Sequence, residues 1–240
     1  MSAPADPAAP RSRMRRNTTA EQIKGLILSR GLRPGDAIPT EPELCAVLGV
    51  SRSSLREAIR TLATLDIVEV RHGHGTVVGR MSLDSLVETL VFRGVLSRGD
   101  DLAVLREVVE LRSALDLAMA DSVIAAHEGR AHPTLAALVA EMVQQAAQGQ
   151  TFLAADRAFH TALLAPVRNQ LAGQLVAAFW DIHTAVLPRL GLALPADLRK
   201  TAQAHADILS AAQRGDAAAY RAAVVDHYEP LLKMLTARNH

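Results

Sequence analysis

The stretch from Thr40 to Leu62 leaves its backbone little choice. Thr40 and Glu43 have the spacing of a capping box, in which a threonine and a glutamate three residues on satisfy each other's backbone N–H groups at a helix start. Leu44, Val47 and Leu48 give that helix an apolar side, and Gly49, free to take a positive φ, ends it. Ser51 then caps a second helix, whose Leu55, Ile59 and Leu62 share one buried stripe. Arg52, Arg56 and Arg60 rotate away from that stripe. Two short helices joined by so tight a turn read as a helix-turn-helix. Basic and hydroxyl side chains at the start of its second helix can reach base edges in a major groove, and the helix's free N–H groups favour phosphate. A merely solvated charged face has the same pattern, so the two helices alone do not decide.

The flanks do. Thr18 and Glu21 form another capping box, followed by Ile23, Leu26 and Ile27 on one face. Gly31 closes that helix, and Pro34-Gly35 supplies a turn. Downstream, Ile67 to Arg71 alternates as a strand should, with Thr76-Val77-Val78 as its return partner. His72-Gly73-His74-Gly75 forms the tip between them. Three helices and a basic β wing make a winged helix. The span from Gln22 to Val78, with its Arg-Pro-Gly-Asp turn, Leu-Gly-Val-Ser-Arg block and Arg-His-Gly wing, closely resembles the DNA-binding domain of the GntR family of bacterial transcription regulators. The resemblance implies recognition-helix contacts from Ser51, Arg52, Ser53 and Arg56, and wing-tip contacts from His72 and Gly73. Pro42 stands where many members carry arginine. Proline fits a first helical turn, so the helix is kept, one DNA contact is lost, and a different operator sequence is expected.

The chain has 240 residues, enough for one large or two modest domains. Its net charge of +1 says little, but its distribution says more. Residues 1–80 hold twelve Lys/Arg against eight Asp/Glu, leaving 14 against 17 for residues 81–240, so the basic end is the one with the reading head. The single Cys45 excludes an intrachain disulfide framework and reads as a small buried hydrophobe, in keeping with a reducing compartment. No apolar run approaches the roughly 18 residues of a membrane span, and no secretory signal opens the chain. The expected location is the bacterial cytoplasm, in association with the nucleoid. Residues 1–16, Ala/Pro-rich with Arg11, Arg13, Arg15 and Arg16, read as a disordered basic arm; residues 17–80 read as the winged helix-turn-helix.

From residue 81 to 240 the pattern is helical, with no long period-two alternation. Segments of roughly 82–97, 101–127, 133–148, 151–165, 168–187, 195–213 and 216–236 are separated by Gly99-Asp100, Gly129 to Pro133, Gly149, Pro166, Pro188 to Pro195 and Gly215. The expected fold is therefore mostly α: the winged helix, then an all-α antiparallel bundle of about seven helices.

Polar residues on the apolar stripes are the informative ones. Asp156 and His160, at i and i+4, project from one helix face. His205 sits with Ile208, Leu209 and Ala212, and His227 with Val224 and Leu231. Converging, they would make a divalent-metal site; apart, each histidine would be a core residue bonded to a neighbour. Arg112 interrupts the stripe of Leu105, Val108, Leu115 and Met119, so it either pairs with an acid such as Asp116 or awaits an anion. His183 and Trp180 can line the same pocket, or serve as packing.

Val109 to Leu232 resembles the FCD ligand-binding domain of the FadR subfamily of GntR regulators. The matching pieces are Glu110-Leu111-Arg112, Asp156-Arg157-Ala158-Phe159-His160, Asn169, His205 and Gly215-Asp216 leading to His227. The resemblance implies that Asp156, His160, His205 and His227 hold a divalent transition metal, zinc first, with nickel or manganese as alternatives. It implies that Arg112 and Asn169 bind an effector, a small organic acid or sugar acid. Ala204 replaces a common glutamate before His205.

The resulting expectation is a homodimeric, non-enzymatic repressor that reads a palindromic double-stranded operator and is controlled by a carboxylate effector in a metal-containing pocket. Two other classes share parts of this pattern. A metalloenzyme would need a general base or nucleophile beside the ligands, and none stands out. An architectural DNA binder would show steep salt dependence and no preference for an operator over a scrambled duplex.

Overall fold

Why two units form follows from where the apolar stripes close on each other. The computed structural model describes residues 18–96, 102–186 and 198–237. The expected basic arm at 1–16 and the breaks at Gly99-Asp100 and Pro188 to Pro195 lie outside the described residues. The chain divides into compact units at Ser82 and Leu83.

In the first unit α1 spans Thr19–Ser29, and the Thr18 hydroxyl accepts from the Glu21 N–H at 3.3 Å. Helix α2 is Glu41–Leu48, with Pro42 in its first turn. The Thr40 N–H donates to Glu43 Oε2 at 2.8 Å. Gly49 closes the helix at φ +66°, in the left-handed region that a side chain would strain. Helix α3 is Arg52–Thr64, capped by Ser51, whose hydroxyl accepts from the Ser54 N–H at 3.2 Å. Ile23, Leu44, Leu55, Leu62, Val68 and Val78 form the core of this unit. Val47, read as part of the apolar side of α2, is 60% exposed, because that short helix buries only Leu44 fully. Cys45 is half-buried rather than buried.

Strands β1 (Val68–Arg71) and β2 (Gly75–Val78) pair antiparallel, Val68 opposite Val78 and Arg71 opposite Gly75. The turn after α1 also bonds to this hairpin: the Gly35 N–H donates to the Val78 carbonyl at 2.8 Å and the Ile38 N–H to Thr76 at 3.0 Å. Gly79 packs on the backbone of Asp66, so closely that a Cβ there would overlap the Asp66 carbonyl oxygen.

The second unit is a bundle of α4 (Asp84–Leu96), α5 (Ala103–Ala118), α6 (Ala120–His127), α7 (Pro133–Ala147), α8 (Leu153–Leu164), α9 (Gln170–Val186), α10 (Leu198–Arg214) and α11 (Ala217–Ala237). The segment read as one helix over 101–127 breaks at Met119, whose N–H bonds to both the Leu115 and Leu117 carbonyls. No glycine or proline marks the break. Tertiary packing outweighs the continuous periodicity: α5 packs on α9 and α11, while α6 turns Val123, Ile124 and His127 inward beside α10. Helix α10 pairs with α11, α7 with α8 and α10, and α8 with α9. Leu105, Val109, Phe159, Trp180, Ile182 and Tyr220 lie at the centre. No helix among the described residues is long and apolar enough to cross a membrane.

Candidate functional site

Helices α8, α10 and α11 bring their polar interruptions to one point. Asp156 and His160 come from successive turns of α8, His205 from α10 and His227 from α11, and all four are buried. One ligand atom from each falls within 4.8 Å of the others. His205 Nε2 lies 2.9 Å from Asp156 Oδ1, and His160 Nε2 lies 3.2 Å from the same oxygen and 3.2 Å from His227 Nε2. A zinc ion about 2.0–2.2 Å from four tetrahedral ligands needs those atoms roughly 3.3 Å apart. The donor set is therefore already near the size a divalent cation requires.

The outer contacts fit the same chemistry. His205 Nδ1 is 2.8 Å from the Thr201 carbonyl, which can only accept, so Nδ1 carries the proton. Its Nε2 then meets Asp156 either as an imidazolium donor or as a lone pair sharing a cation with the carboxylate. His160 Nδ1 stands 3.5 Å from Asp116 Oδ2. Such outer partners orient metal-bound imidazoles. Burial would raise the Asp156 carboxyl, but His205 and His160 outweigh it and hold it well below the usual carboxylate range. Burial, reinforced by His205 and His160, pushes His227 well below its ordinary value and keeps it neutral, the form that ligates a metal. Phe152 and Phe159 pack edge-on against the His205 ring.

Beside this cluster lies a cavity of about 60 Å³, lined by Arg112, Asp156, Trp180, His183 and His227 among others. Arg112 is 1% exposed and lies over the Trp180 ring, 4.3 Å from its centre. Of the two alternatives for Arg112, the pairing with Asp116 does not form. Asp116 instead accepts from the Tyr228 hydroxyl at 2.6 Å, and burial keeps that phenol protonated by raising it well above its ordinary value. Arg112 Nη1 reaches only His183 Nδ1, at 3.4 Å, and its Nε and Nη2 are buried without a partner. Burial, then the charge of Arg112, lowers His183 to about 4, so its Nδ1 stays an acceptor. Asn169, expected at the effector, is exposed and accepts from the Ala172 N–H at 3.2 Å instead. It starts α9 and is not among the cavity residues, because its short side chain is used as a helix cap. Asp116, Tyr228 and Thr201 were not foreseen as a supporting shell. The i, i+4 spacing of Arg112 and Asp116 was the available signal.

On the first unit, Arg52 lies exposed in the first turn of α3, with Arg56 one turn later. Ser51 is committed to its cap and to Ser53, with the two hydroxyl oxygens 2.9 Å apart. Arg56 Nε donates to Glu41 Oε2 of α2 at 3.0 Å. His72 and Gly73 sit exposed at the tip between β1 and β2, Gly73 at φ +78°.

Comparison with known proteins supplies the family. The model described as "Bacterial regulatory proteins, gntR family" matches residues 15–78, and the FCD domain model matches residues 107–230. NedR of Micromonospora viridifaciens is 45% identical over 97 residues, 40% of this chain and 70% of that one. The galactonate operon transcriptional repressor of Escherichia coli K12 is 27% identical over 187 residues, 77% of this chain and 82% of that one. Among solved structures, Streptococcus agalactiae GntR superposes with a TM-score of 0.65 at 27% identity, covering 90% of this chain and 98% of that chain. The chain belongs to the GntR family of bacterial regulatory proteins, as a DNA-binding transcription regulator with an FCD domain.

Proposed function

We propose that this regulator is a homodimeric repressor whose affinity for a palindromic operator is set by a small carboxylate bound in the helical unit, between Arg112 and a divalent metal held by Asp156, His160, His205 and His227. In this reading Arg52 and Ser53 read the operator from α3, Ser51 caps that helix against phosphate, Arg56 joins them, and His72 and Gly73 follow the backbone at the wing. Zinc suits three imidazoles and a carboxylate, with nickel or manganese as alternatives. The metal, when bound, supplies a Lewis-acid centre for an effector oxygen.

The observation that carries the proposal is the free edge of Arg112. Elsewhere in this chain the Nε and Nη2 of an arginine grip a carboxylate as a fork: Arg157 holds Asp181 at 2.8 and 3.1 Å, and Arg71 holds Glu69 at 3.1 and 3.0 Å. In Arg112 the same two nitrogens are buried with no partner. A buried guanidinium left so is costly, and an incoming carboxylate relieves that cost with two charge-assisted bonds. His183 and Trp180 hold the guanidinium in place from its other sides. The effector alters operator affinity only to the extent that it binds the operator-competent and operator-incompetent forms unequally.

Thermal unfolding of the metal-loaded protein against a panel of organic and sugar acids tests this. A ligand at about a hundred times its Kd adds roughly 2.7 kcal/mol, a shift of several degrees. The expected result is a hit that disappears in Arg112→Met, a variant that keeps its metal. A hit unchanged in that variant removes Arg112 from the effector site.

A further inference from the structure

We propose that His127 and His132 form a second metal site, apart from the cluster on α8, α10 and α11, which takes a divalent transition ion of imidazole preference such as zinc, nickel or copper.

Three helix ends meet there. Helix α6 finishes at His127, α7 starts just after His132, and Leu163 lies in the last turn of α8. The two imidazoles line one open groove with Pro133, Thr134, Leu135 and Pro166. Their ring centres are 4.3 Å apart, with the rings inclined at 63°. His127 is 1% exposed. Its Nε2 lies 2.8 Å from the Leu163 carbonyl, which can only accept, so Nε2 carries the proton. Burial, partly offset by that carbonyl, lowers His127 below its ordinary value, and the charges of His132 and Arg130 lower it further. The ring is therefore neutral, and its Nδ1 is a lone pair.

That lone pair is buried with no partner, and so is the Nε2 of His132. The edge-on contact packs the two rings and leaves both nitrogens unmet, which is costly inside a protein. A lone pair is satisfied by a donor or by a cation, and among the described residues no donor reaches either atom. Neighbouring imidazoles, one of them held in its tautomer by a backbone carbonyl, are how histidine is presented to a metal. An ion between them takes the His132 Nε2 as a second lone pair, with the proton of that ring on Nδ1. The carboxyl ends of α6 and α8 add partial negative charge, outnumbering the single amino end of α7. Such an ion ties the connection between α6 and α7 to α8, a turn beyond His160.

Two protein ligands hold an ion more loosely than four. A Kd between about 1 and 100 µM is expected for zinc, so this ion leaves during purification and returns when metal is supplied.

The test uses full-length protein as purified, dialysed against zinc over that concentration range, with bound metal counted by elemental analysis. His132→Asn removes one imidazole and leaves a favoured helix cap before Pro133, so α7 is kept. The native chain is expected to take up one equivalent more than His132→Asn, and His127→Gln should lose the same equivalent. The count is a difference between chains, so it stands whatever the inner cluster holds. Excess magnesium, which prefers oxygen ligands, should not displace the ion. Hydrogen exchange at Glu128 to Ala131 should slow with zinc in the native chain alone. Equal uptake by the native chain and His132→Asn places the ion elsewhere and overturns the proposal. No uptake beyond the as-purified content overturns it too, since solvent alone then meets the two nitrogens. Displacement by magnesium overturns the imidazole chemistry.

Discussion

His205 donates from Nδ1 to the Thr201 carbonyl at 2.8 Å and turns its Nε2 to within 2.9 Å of Asp156 Oδ1. With the proton fixed on the far nitrogen, a neutral His205 presents a lone pair to a carboxylate, an arrangement that needs a positive charge between or on the two groups.

Metal removal is the direct check. Protein purified without chelator is expected to hold about one equivalent of transition metal per chain, by elemental analysis. Stripping should lower its melting temperature by several degrees, and zinc should restore it, since binding to the folded site adds to stability. The double variant His205→Gln/His227→Gln should retain less than about a tenth of an equivalent. A full, tightly held equivalent in that variant would place the ion elsewhere.

Stability should respond to acid through His183. Its folded value of about 4 lies below its ordinary 6.5, so between those limits the unfolded chain binds the proton first. Stability is full above about pH 6.5 and falls as pH drops toward 4, by up to about 3 kcal/mol from this group. In chelator-treated protein, urea midpoints across that window should fall less steeply in His183→Gln. Parallel curves for the two proteins would remove His183 as the source.

Gly79→Ala should weaken the wing. The added Cβ would overlap the Asp66 carbonyl oxygen and stand 2.6 Å from its carbon. That carbonyl already accepts from the Met81 N–H at 2.9 Å, so it is not free to move. Overpacking of this kind costs about 1–3 kcal/mol. Hydrogen exchange on the full chain should show faster exchange at Val77 and Val78, with Leu105 and Phe159 in the other unit unaffected. Unchanged protection would mean that the hairpin shifts without strain.

Operator recognition should separate Arg52 from Arg60. With an operator found by in vitro selection, Arg52→Ala is expected to cost about 1–3 kcal/mol against that sequence and little against scrambled DNA. Arg60→Ala should weaken both slightly and lower the salt slope by about one. Wild-type footprinting by Arg52→Ala would end its assignment as the reading residue.

Much of the first unit was legible because its signals are local. The Thr40–Glu43 box, Gly49 and Ser51 each act within one turn of backbone, and the structure uses all of them. In the second unit the inward faces were legible too, since Asp156 and His160 lie at i and i+4 and His205 and His227 interrupt apolar stripes. What sequence could not give was the choice among partners at long range. Arg112 and Asp116 share a face of α5, yet Asp116 goes to Tyr228 from a helix 112 residues away, leaving the arginine without it. Asn169 was placed at the effector by family likeness, while a helix start beside it had the nearer claim. The break at Met119 has no breaker residue, because it is set by what α5 and α6 pack against.

Glu41 of α2 holds Arg56 of α3 by its Nε. The bond uses the Nε alone and leaves the two Nη groups of the guanidinium out of it. Both side chains are exposed, and such a pair is worth at most about 1 kcal/mol. If Arg56 meets the operator as proposed, it can do so with Glu41 still bracing its inner edge, so the first of the two helices would serve as a splint that aims a side chain carried by the second.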